Sequence, residues 1–291
     1  MTVDNPFHVT FWGVRGSIPC PGPDTFRYGG NTSCLEVRCG ARRLILDGGT
    51  GLRPLGLAMA GQGLIEADIF FTHTHFDHIC GLPFFGPAYV KGNKFKLWAG
   101  HLLPEKTLHY VLAEMMMAPL FPIPITVFDA DLSFHDFRAG ETFTPAAGVT
   151  VRTAPLNHPN RATGYRIDYA GKSICYITDT EHEPGKPDQN ILGLIEGADL
   201  FIYDATYTET EYPNHKGWGH STWEEGAKLA DLAKVKRFVI FHHDPSHDDR
   251  FISAMLIHGR NIAMQAQSTM VVEAAREGME VVLRAGTVIA R

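Results

Sequence analysis

Short apolar runs, interrupted by glycine, proline and aspartate, fill the first half of this chain. Alternating β-branched and aromatic residues predict strands at 8–13, 33–39, 42–47, 67–73, 95–100, 125–129, 148–154, 164–170 and 173–179. The last two form a predicted hairpin that turns at residues 170–172. Helical apolar spacing predicts helices at 49–61, 104–116 and 222–235, and a mainly helical 250–278 before the final strands. This pattern favours two sheets with helices on their outer faces.

The composition is that of an ordinary globular protein, with 44% hydrophobic and 20% charged residues over 291 positions. No apolar run reaches the roughly 20 residues that a membrane helix needs, and the N-terminus lacks the pattern of a secretory signal. The five cysteines are scattered without a CxxC pair, which favours reduced thiols in a cytoplasmic protein. The formal net charge of −6 disfavours extensive nucleic-acid binding, because phosphate contacts depend mainly on Lys and Arg.

The stretch THTHFDH carries the strongest chemical signal, and it overlaps the end of an apolar strand. His73 and His75 are two positions apart, so in extended backbone both imidazoles point the same way and can reach one ion. Asp77 and His78 follow as the chain turns, and can reach a second point nearby. Neutral imidazole and carboxylate are ligands that zinc and similar divalent ions prefer. The stretch therefore predicts part of a metal site.

Three later strands also end at candidate ligands. His158 follows the strand VTVRTA, Asp179 ends the strand CYITD, and the pair His242 and His243 follows the strand FVIF. Loops at strand ends are held by a rigid sheet and are a common location for binding residues. We therefore expect these distant positions to complete the site begun by THTHFDH.

The order of these motifs resembles the metallo-β-lactamase fold over nearly the whole chain. It runs HxHxDH, then a lone histidine, then an aspartate after a strand, then a histidine after a strand. The resemblance implies an α/β protein of the four-layer αββα class, in which two mixed sheets pack face to face with helices outside. It implies a single domain over residues 1–291, with a two-metal centre between the sheets.

The resemblance also implies a ligand set. One metal would take His73, His75 and His158, the second would take Asp77, His78 and His242, and Asp179 would bridge them. His242 is preferred to His243 because it is the first residue after the strand, and His243 would then support the ligands or face the substrate. Asp47, in LILDGGTG, would orient the histidine-bearing loop from the outer shell. The implied cofactors are two divalent ions, most readily Zn, with Mn or Fe as alternatives.

Two further stretches resemble ribonuclease Z and its smaller phosphodiesterase relatives. LFIYDATYTE places Asp204 at a strand end, and GWGHSTWEEG places His220 before a helix. In that branch the acidic residue orients the histidine, which contacts the phosphate or protonates the leaving oxygen. A phosphodiester loses a poor leaving group, and a histidine held by a buried carboxylate keeps a proton to deliver. We expect attack by a metal-bridging hydroxide, with Asp77, Asp204 and His220 as the catalytic residues and His220 as general acid.

The glycine-rich opening WGVRGSIPCPGPDTFRYGGNTSC also resembles this branch. Arg15 and Asn31 are candidates to hydrogen-bond a phosphate, because glycines let the backbone approach a ligand closely. The alternative interpretation is a tight-turn segment that covers the edge of a sheet, and the sequence leaves both open.

An apolar insertion is expected at about 101–145, where VLAEMMMAPLFPIPITVF carries a single charge. It would be a hydrophobic lid, a homodimer contact or part of the core. The chain shows no Gly/Pro/Lys-rich arm of the kind that ribonuclease Z uses to grip transfer RNA. We therefore expect a small or cyclic phosphodiester as substrate, with no membrane partner. Two alternatives remain: a tRNA 3′-end processing endonuclease, and a thioester or lactone hydrolase of the same fold.

Overall fold

The computed structural model of the chain describes residues 7–284 and the backbone of residues 287–290. The strands of this described part are β1 (Phe7–Gly13), β2 (Cys34–Cys39), β3 (Arg42–Leu46), β4 (Glu66–Phe71), β5 (Lys94–Ala99), β6 (Asp131–Asp136), β7 (Thr142–Ala146), β8 (Val149–Leu156), β9 (Ala162–Tyr169), β10 (Lys172–Ile177), β11 (Leu200–Asp204), β12 (Arg237–Phe241), β13 (Val271–Ala274), β14 (Glu280–Arg284) and β15 (Thr287–Ala290). Its α-helices are α1 (Leu52–Met59), α2 (Phe76–Ile79), α3 (Leu108–Met115), α4 (Gln189–Ile195), α5 (Trp223–Leu232) and α6 (Asp249–Gln265). Single 3₁₀ turns lie at Pro23–Thr25, Leu82–Phe84, Gly86–Tyr89, Ile125–Val127 and Tyr212–Asn214.

The strands form two mixed sheets. The first has the order β15-β14-β1-β2-β3-β4-β5-β6, and the second has the order β13-β12-β11-β10-β9-β8-β7. In each sheet an antiparallel part joins a parallel part, which comprises β3 to β6 in one sheet and β10 to β13 in the other. The predicted hairpin is confirmed, because β9 and β10 pair antiparallel around residues 170–172.

Three apolar clusters define four layers. The central cluster joins the two sheets, with Phe11 and Leu46 from one sheet packed among Tyr176 and Phe241 from the other. A second cluster fills the space between the second sheet and α4, α5 and α6, and a third lies between the first sheet and α1 and α3. Burying each large apolar side chain stabilises the fold by about 1.5–3 kcal/mol. The order of these layers, with helices outside two packed sheets, confirms the expected αββα sandwich.

Several strands end at the same edge of the sandwich. The carboxyl ends of β3 and β4 in one sheet lie beside those of β8, β10, β11 and β12 in the other, and the loops that follow carry the predicted site residues. Parallel strands bring their carboxyl ends together, and loops there line the crevice that ligands occupy in open α/β sheets.

Two predicted elements are wrong. Residues 125–129 form a 3₁₀ turn rather than a strand, since Pro122 and Pro124 remove backbone donors just before it. The long helix predicted over 250–278 ends at Gln265, and β13 then pairs parallel with β12. None of the helices in the described part of the chain combines the length and hydropathy that a membrane crossing requires.

Candidate active site

Three predicted site residues follow their strands in a left-handed backbone conformation. Asp47, Asp179 and His242 have φ values of 60°, 58° and 60°. This region is uncommon for residues other than glycine, although Asp and His tolerate it better than most. Each such residue costs on the order of 1–3 kcal/mol unless its surroundings hold it in place. Here the conformation turns the chain sharply at the strand tip and brings the side chains together.

The first histidine triad contains His73, His75 and His158, whose ligand nitrogens lie within 4.8 Å of one another. His158 Nδ1 lies 2.8 Å from the carbonyl oxygen of Gly219 and must donate to it, because a carbonyl only accepts. The lone pair of His158 therefore sits on Nε2, which lies 3.0 Å from His75 Nδ1. The structure thus brings together the three residues predicted to hold the first metal.

The second triad contains Asp77, His78 and His242, whose ligand atoms meet the same 4.8 Å limit. Asp77 Oδ2 lies 3.3 Å from His78 Nε2 and 3.4 Å from His242 Nε2. It also accepts a hydrogen bond of 2.8 Å from the backbone N–H of Ser17. This is the predicted second ligand group, and His242 rather than His243 belongs to it.

Asp179 lies between the two triads. Its Oδ2 is 3.2 Å from His78 Nε2 and 3.4 Å from His242 Nε2. Its Oδ1 faces the other triad, at 3.7 Å from His73 Nε2 and 3.9 Å from His158 Nε2. One carboxylate oxygen is directed at each group, as a bridging ligand requires.

Buried nitrogen atoms provide a test of whether this set fits metal ions. The Nε2 atoms of His73, His78 and His242 have no hydrogen-bond partner among the described residues. A buried polar atom left without a partner costs about 1–3 kcal/mol, so such atoms are rare unless they serve an ion or water. Burial lowers the pKa of His73 well below its ordinary value, which keeps its imidazole neutral as a metal ligand must be. The residues present therefore fit divalent cations.

The charge balance of the cluster also fits bound cations. Burial disfavours the charged form of His78, but the carboxylates of Asp179, Asp77 and Asp47 outweigh it and raise its pKa well above the ordinary value. The pKa values of Asp77 and Asp179 are well below their ordinary range, because the surrounding histidines outweigh their burial. Three buried carboxylates therefore create a demand for positive charge that bound cations would meet.

Asp47 makes the contacts of the predicted orienting residue. Its Oδ2 lies 2.9 Å from His78 Nδ1 and accepts a bond of 2.9 Å from the hydroxyl of Tyr176. Its Oδ1 accepts the backbone N–H of Thr72 at 2.8 Å, beside His73. Because the His78 proton sits on Nδ1, its Nε2 is left to face the ligand cluster.

The pair His220 and Asp204 adjoins the second triad. His220 Nδ1 lies 3.0 Å from Asp204 Oδ2, and its ring centroid is 4.9 Å from that of His242. Asp204 is fully buried and also accepts the N–H groups of Thr180 and Thr206, each at 3.1 Å. Burial alone would lower the pKa of His220, but Asp204 outweighs burial and raises it to about 9. The imidazole can therefore hold a proton at neutral pH.

Two supporting residues escaped the sequence analysis. Thr206 Oγ1 lies 2.9 Å from His242 Nδ1 and 2.6 Å from Asp204 Oδ1, so it links a candidate ligand to the His220–Asp204 pair. The carboxylate of Glu181 accepts the N–H groups of Gly217 and Gly219 and so holds the loop that precedes His220. The only signal for Thr206 was its place in the DAT motif, and nothing local marked Glu181.

Three residues predicted to support the ligands or contact the substrate have their side chains bound to other parts of the chain. His243 is fully buried and its Nε2 lies 2.8 Å from the carbonyl of Ala275, so it does not face the substrate cavity. Arg15 is also fully buried, and its guanidinium donates hydrogen bonds to the carbonyl groups of Gly29, Asp244 and His247. The Asn31 amide is bound to the Glu277 carboxylate at 3.0 Å. These bonds hold the three side chains away from the candidate ligand cluster, and those of Arg15 and Asn31 attach the opening segment to the C-terminal part of the sandwich.

A comparison with known protein families assigns the chain to a superfamily. Residues 42–243 match the family described as the beta-lactamase superfamily domain, and the chain belongs to that superfamily. The matched range contains the complete candidate ligand set. Together with the ligand set, this membership defines a hydrolase of the metallo-β-lactamase fold, a family that implies divalent metal ions.

Curated relatives carry the name Ribonuclease Z. The protein from Mycobacterium bovis is 28% identical over 273 residues, which span 82% of this chain and 86% of the relative. The protein from Parabacteroides distasonis is 28% identical over 151 residues, which span 52% of this chain and 43% of the relative.

Solved structures show the same fold. The metallo-β-lactamase fold protein YhfI from Bacillus subtilis has a TM-score of 0.72 at 16% identity, covering 96% of this chain and all of that one. A diphosphatase from the PhnP family has a TM-score of 0.66 at 19% identity, covering 96% of this chain and 97% of that one. The short form of human tRNase Z has a TM-score of 0.66 at 20% identity, covering 96% of this chain and all of that one.

Proposed function

We propose that this protein is a binuclear metal-dependent phosphodiesterase that hydrolyses a small or cyclic phosphodiester. The observation that carries the proposal is the His220–Asp204 pair, held 3.0 Å apart beside the two ligand triads. A thioester releases a thiolate, which leaves without a proton, whereas an alkoxide leaving group needs an acid at a fixed place. Relatives and a fold neighbour named Ribonuclease Z and diphosphatase add support from phosphate chemistry.

The ligand assignment in this proposal is the one that the family resemblance implies. The first triad and the second triad would each hold one divalent ion, with Asp179 shared between them. Nitrogen and oxygen ligands suit Zn most readily, with Mn or Fe as alternatives. Two such metal ions, when bound, activate water and stabilise the charge on phosphoryl oxygens.

The residues of this chain then handle the proton. Asp204 keeps the Nδ1 proton of His220 in place, so that Nε2 is the atom that donates to the leaving oxygen. Thr206 holds Asp204 and His242 in one hydrogen-bonded chain, which fixes the distance between the acid and the second triad. The acid is therefore preorganised relative to the reacting phosphate.

The leaving group provides the test. On metal-replete protein, His220→Ala should lower kcat/KM for a 2′,3′-cyclic nucleotide by roughly 10²–10⁴-fold, the usual contribution of a general acid. It should affect bis(p-nitrophenyl) phosphate much less, because p-nitrophenolate leaves without a proton. His258→Ala, an exposed histidine on α6, is the matched control and should change neither rate. Equal losses on both substrates, or turnover of thioesters alone, would contradict the proposal.

A second candidate is cleavage of RNA at a tRNA 3′ end, which the relatives named Ribonuclease Z favour. The net charge of −6 opposes a large RNA interface. Precursor tRNA with a 3′ trailer should be cleaved with a steep salt dependence if this candidate is right. A small cyclic phosphodiester should be hydrolysed with little salt dependence if the first proposal holds.

In both cases we propose that residues 1–291 act as a single domain with an insertion at about 101–145.

A further inference from the structure

A second cavity adjoins the one above the metal ligands. The cavity beside His73 and His75 has a volume of about 470 Å³, and the residues that line it include Lys106 and the ion-paired Arg161 and Glu105. The neighbouring cavity has a volume of about 570 Å³ and is lined mainly by Phe76, Ile79, Phe84, Met115, Leu120 and Phe121. Thr74 and Val111 line both, so the two cavities lie next to each other.

The apolar cavity is built from two parts of the chain. One wall is the segment from α2 to the 3₁₀ turn at Leu82–Phe84, directly after the HxHxDH motif. The other wall is α3 and the residues after it, within the expected apolar insertion. Leu120 is 80% exposed, Phe76 70% and Phe84 57%. Large apolar side chains that are exposed together mark an interaction surface or a ligand-binding groove, and here they surround a cavity.

We propose that this cavity binds an alkyl or aryl substituent of the phosphodiester substrate while the phosphate lies at the ligand cluster. The inference rests on the proposed function and narrows it to amphipathic phosphodiesters. The change from a cavity lined by histidines and charged residues to an apolar one at Thr74 and Val111 matches the two ends of such a molecule. The apolar volume lies within the roughly 300–1,000 Å³ of small-molecule sites, which suits a substituent and not a folded partner.

A homologous series of esters tests the size of the effect. Methyl, butyl and hexyl p-nitrophenyl phosphates share one leaving group and differ only in the apolar substituent. kcat/KM should rise along the series, by up to about fourfold for each added methylene that becomes buried. Leu120→Ser and Phe84→Ser should flatten this gradient, and both side chains are exposed enough that the fold tolerates the change. Leu64→Ser is the control, because Leu64 is 73% exposed and lines neither cavity.

Binding without turnover separates this inference from the proposed function. The affinities of methyl, butyl and hexyl phosphate, measured by calorimetry on metal-replete protein, should increase with chain length and lose that increase in Leu120→Ser. If no ester is hydrolysed but this binding gradient is present, the cavity binds the apolar substituent of a phosphate ligand as inferred, and the phosphodiesterase proposal alone fails. If esters are hydrolysed but neither rate nor affinity depends on chain length, the inference is overturned. It is equally overturned if Leu120→Ser alters only the oligomeric state in light scattering, since the surface would then be a contact between copies.

Discussion

The carboxylate of Asp204 offers the sharpest test of the acid–base pair. In Asp204→Asn the side chain keeps its shape but loses its charge. Its amide nitrogen must then face some of the groups that donate hydrogen bonds to the carboxylate in the wild type. If the amide faces His220, it donates to Nδ1 and leaves that imidazole neutral. Burial, which favours the neutral form, then acts without the opposing charge that raises the pKa of His220 to about 9.

The expected loss follows from the protonated fraction of His220. With a pKa of about 9, roughly nine-tenths of the imidazole carries a proton at pH 8. With the ordinary value of about 6.5 or lower, only about 3% does so at that pH. The rate for a substrate with an alkoxide leaving group should therefore fall about 30-fold or more at pH 8. The deficit should shrink towards pH 5.5, where protonation recovers.

The assay is the pH dependence of kcat for a cyclic nucleotide between pH 5.5 and 9.5. Bound cations would lower the pKa of His220 in both proteins by electrostatic repulsion. The quantity to compare is therefore the displacement between the basic limbs of the two pH profiles. Asp199→Asn is the matched control, because Asp199 is a buried carboxylate that pairs with Lys172 and Lys236 away from the site. Coincident basic limbs for the wild type and Asp204→Asn would refute the reasoning.

Three other predictions concern metal and stability. His242→Ala should bind about one divalent ion per chain by elemental analysis whereas His243→Ala keeps about two, and the reverse order would invalidate the ligand assignment. Asp47→Ala should weaken metal affinity about 10–100-fold in a competitive chelator titration, and unchanged affinity would show that its bond to His78 has no orienting role. Arg15→Met should lower the free energy of unfolding by roughly 3 kcal/mol in denaturant titrations, because three carbonyls lose a charged donor. Its metal content should stay the same, and a loss of metal would instead support a role at the site.

Much of the candidate ligand set was predictable, because clustered histidine and aspartate residues leave a local signature. His73, His75, Asp77 and His78 lie within one turn of chain, and backbone geometry alone limits where their side chains can reach. His158 was harder to recognise, since it stood out only by following an apolar run. These residues depend on strand ends, which are readable from the alternation of apolar and polar positions.

Residues that act through distant partners were not predictable in the same way. Arg15 was one candidate for a phosphate contact because it lies in a glycine-rich loop, but its carbonyl partners include residues more than 200 positions away. Glu181 holds Gly217 and Gly219, and no local pattern connects these segments. Such contacts depend on which loops the sheets place side by side.

The chain sequence determined the alternation of strands, the helices that cover them and the types of side chain available at the strand tips. Local backbone preference and the periodicity of apolar residues suffice for those features. Tertiary structure alone decided that Asp179 stands between two triads, that His243 faces inward, and that the segment after α3 forms an apolar wall beside the ligands. The physical reason is that side chains from separate strands acquire their distances, burial and charge environment only when the two sheets pack together.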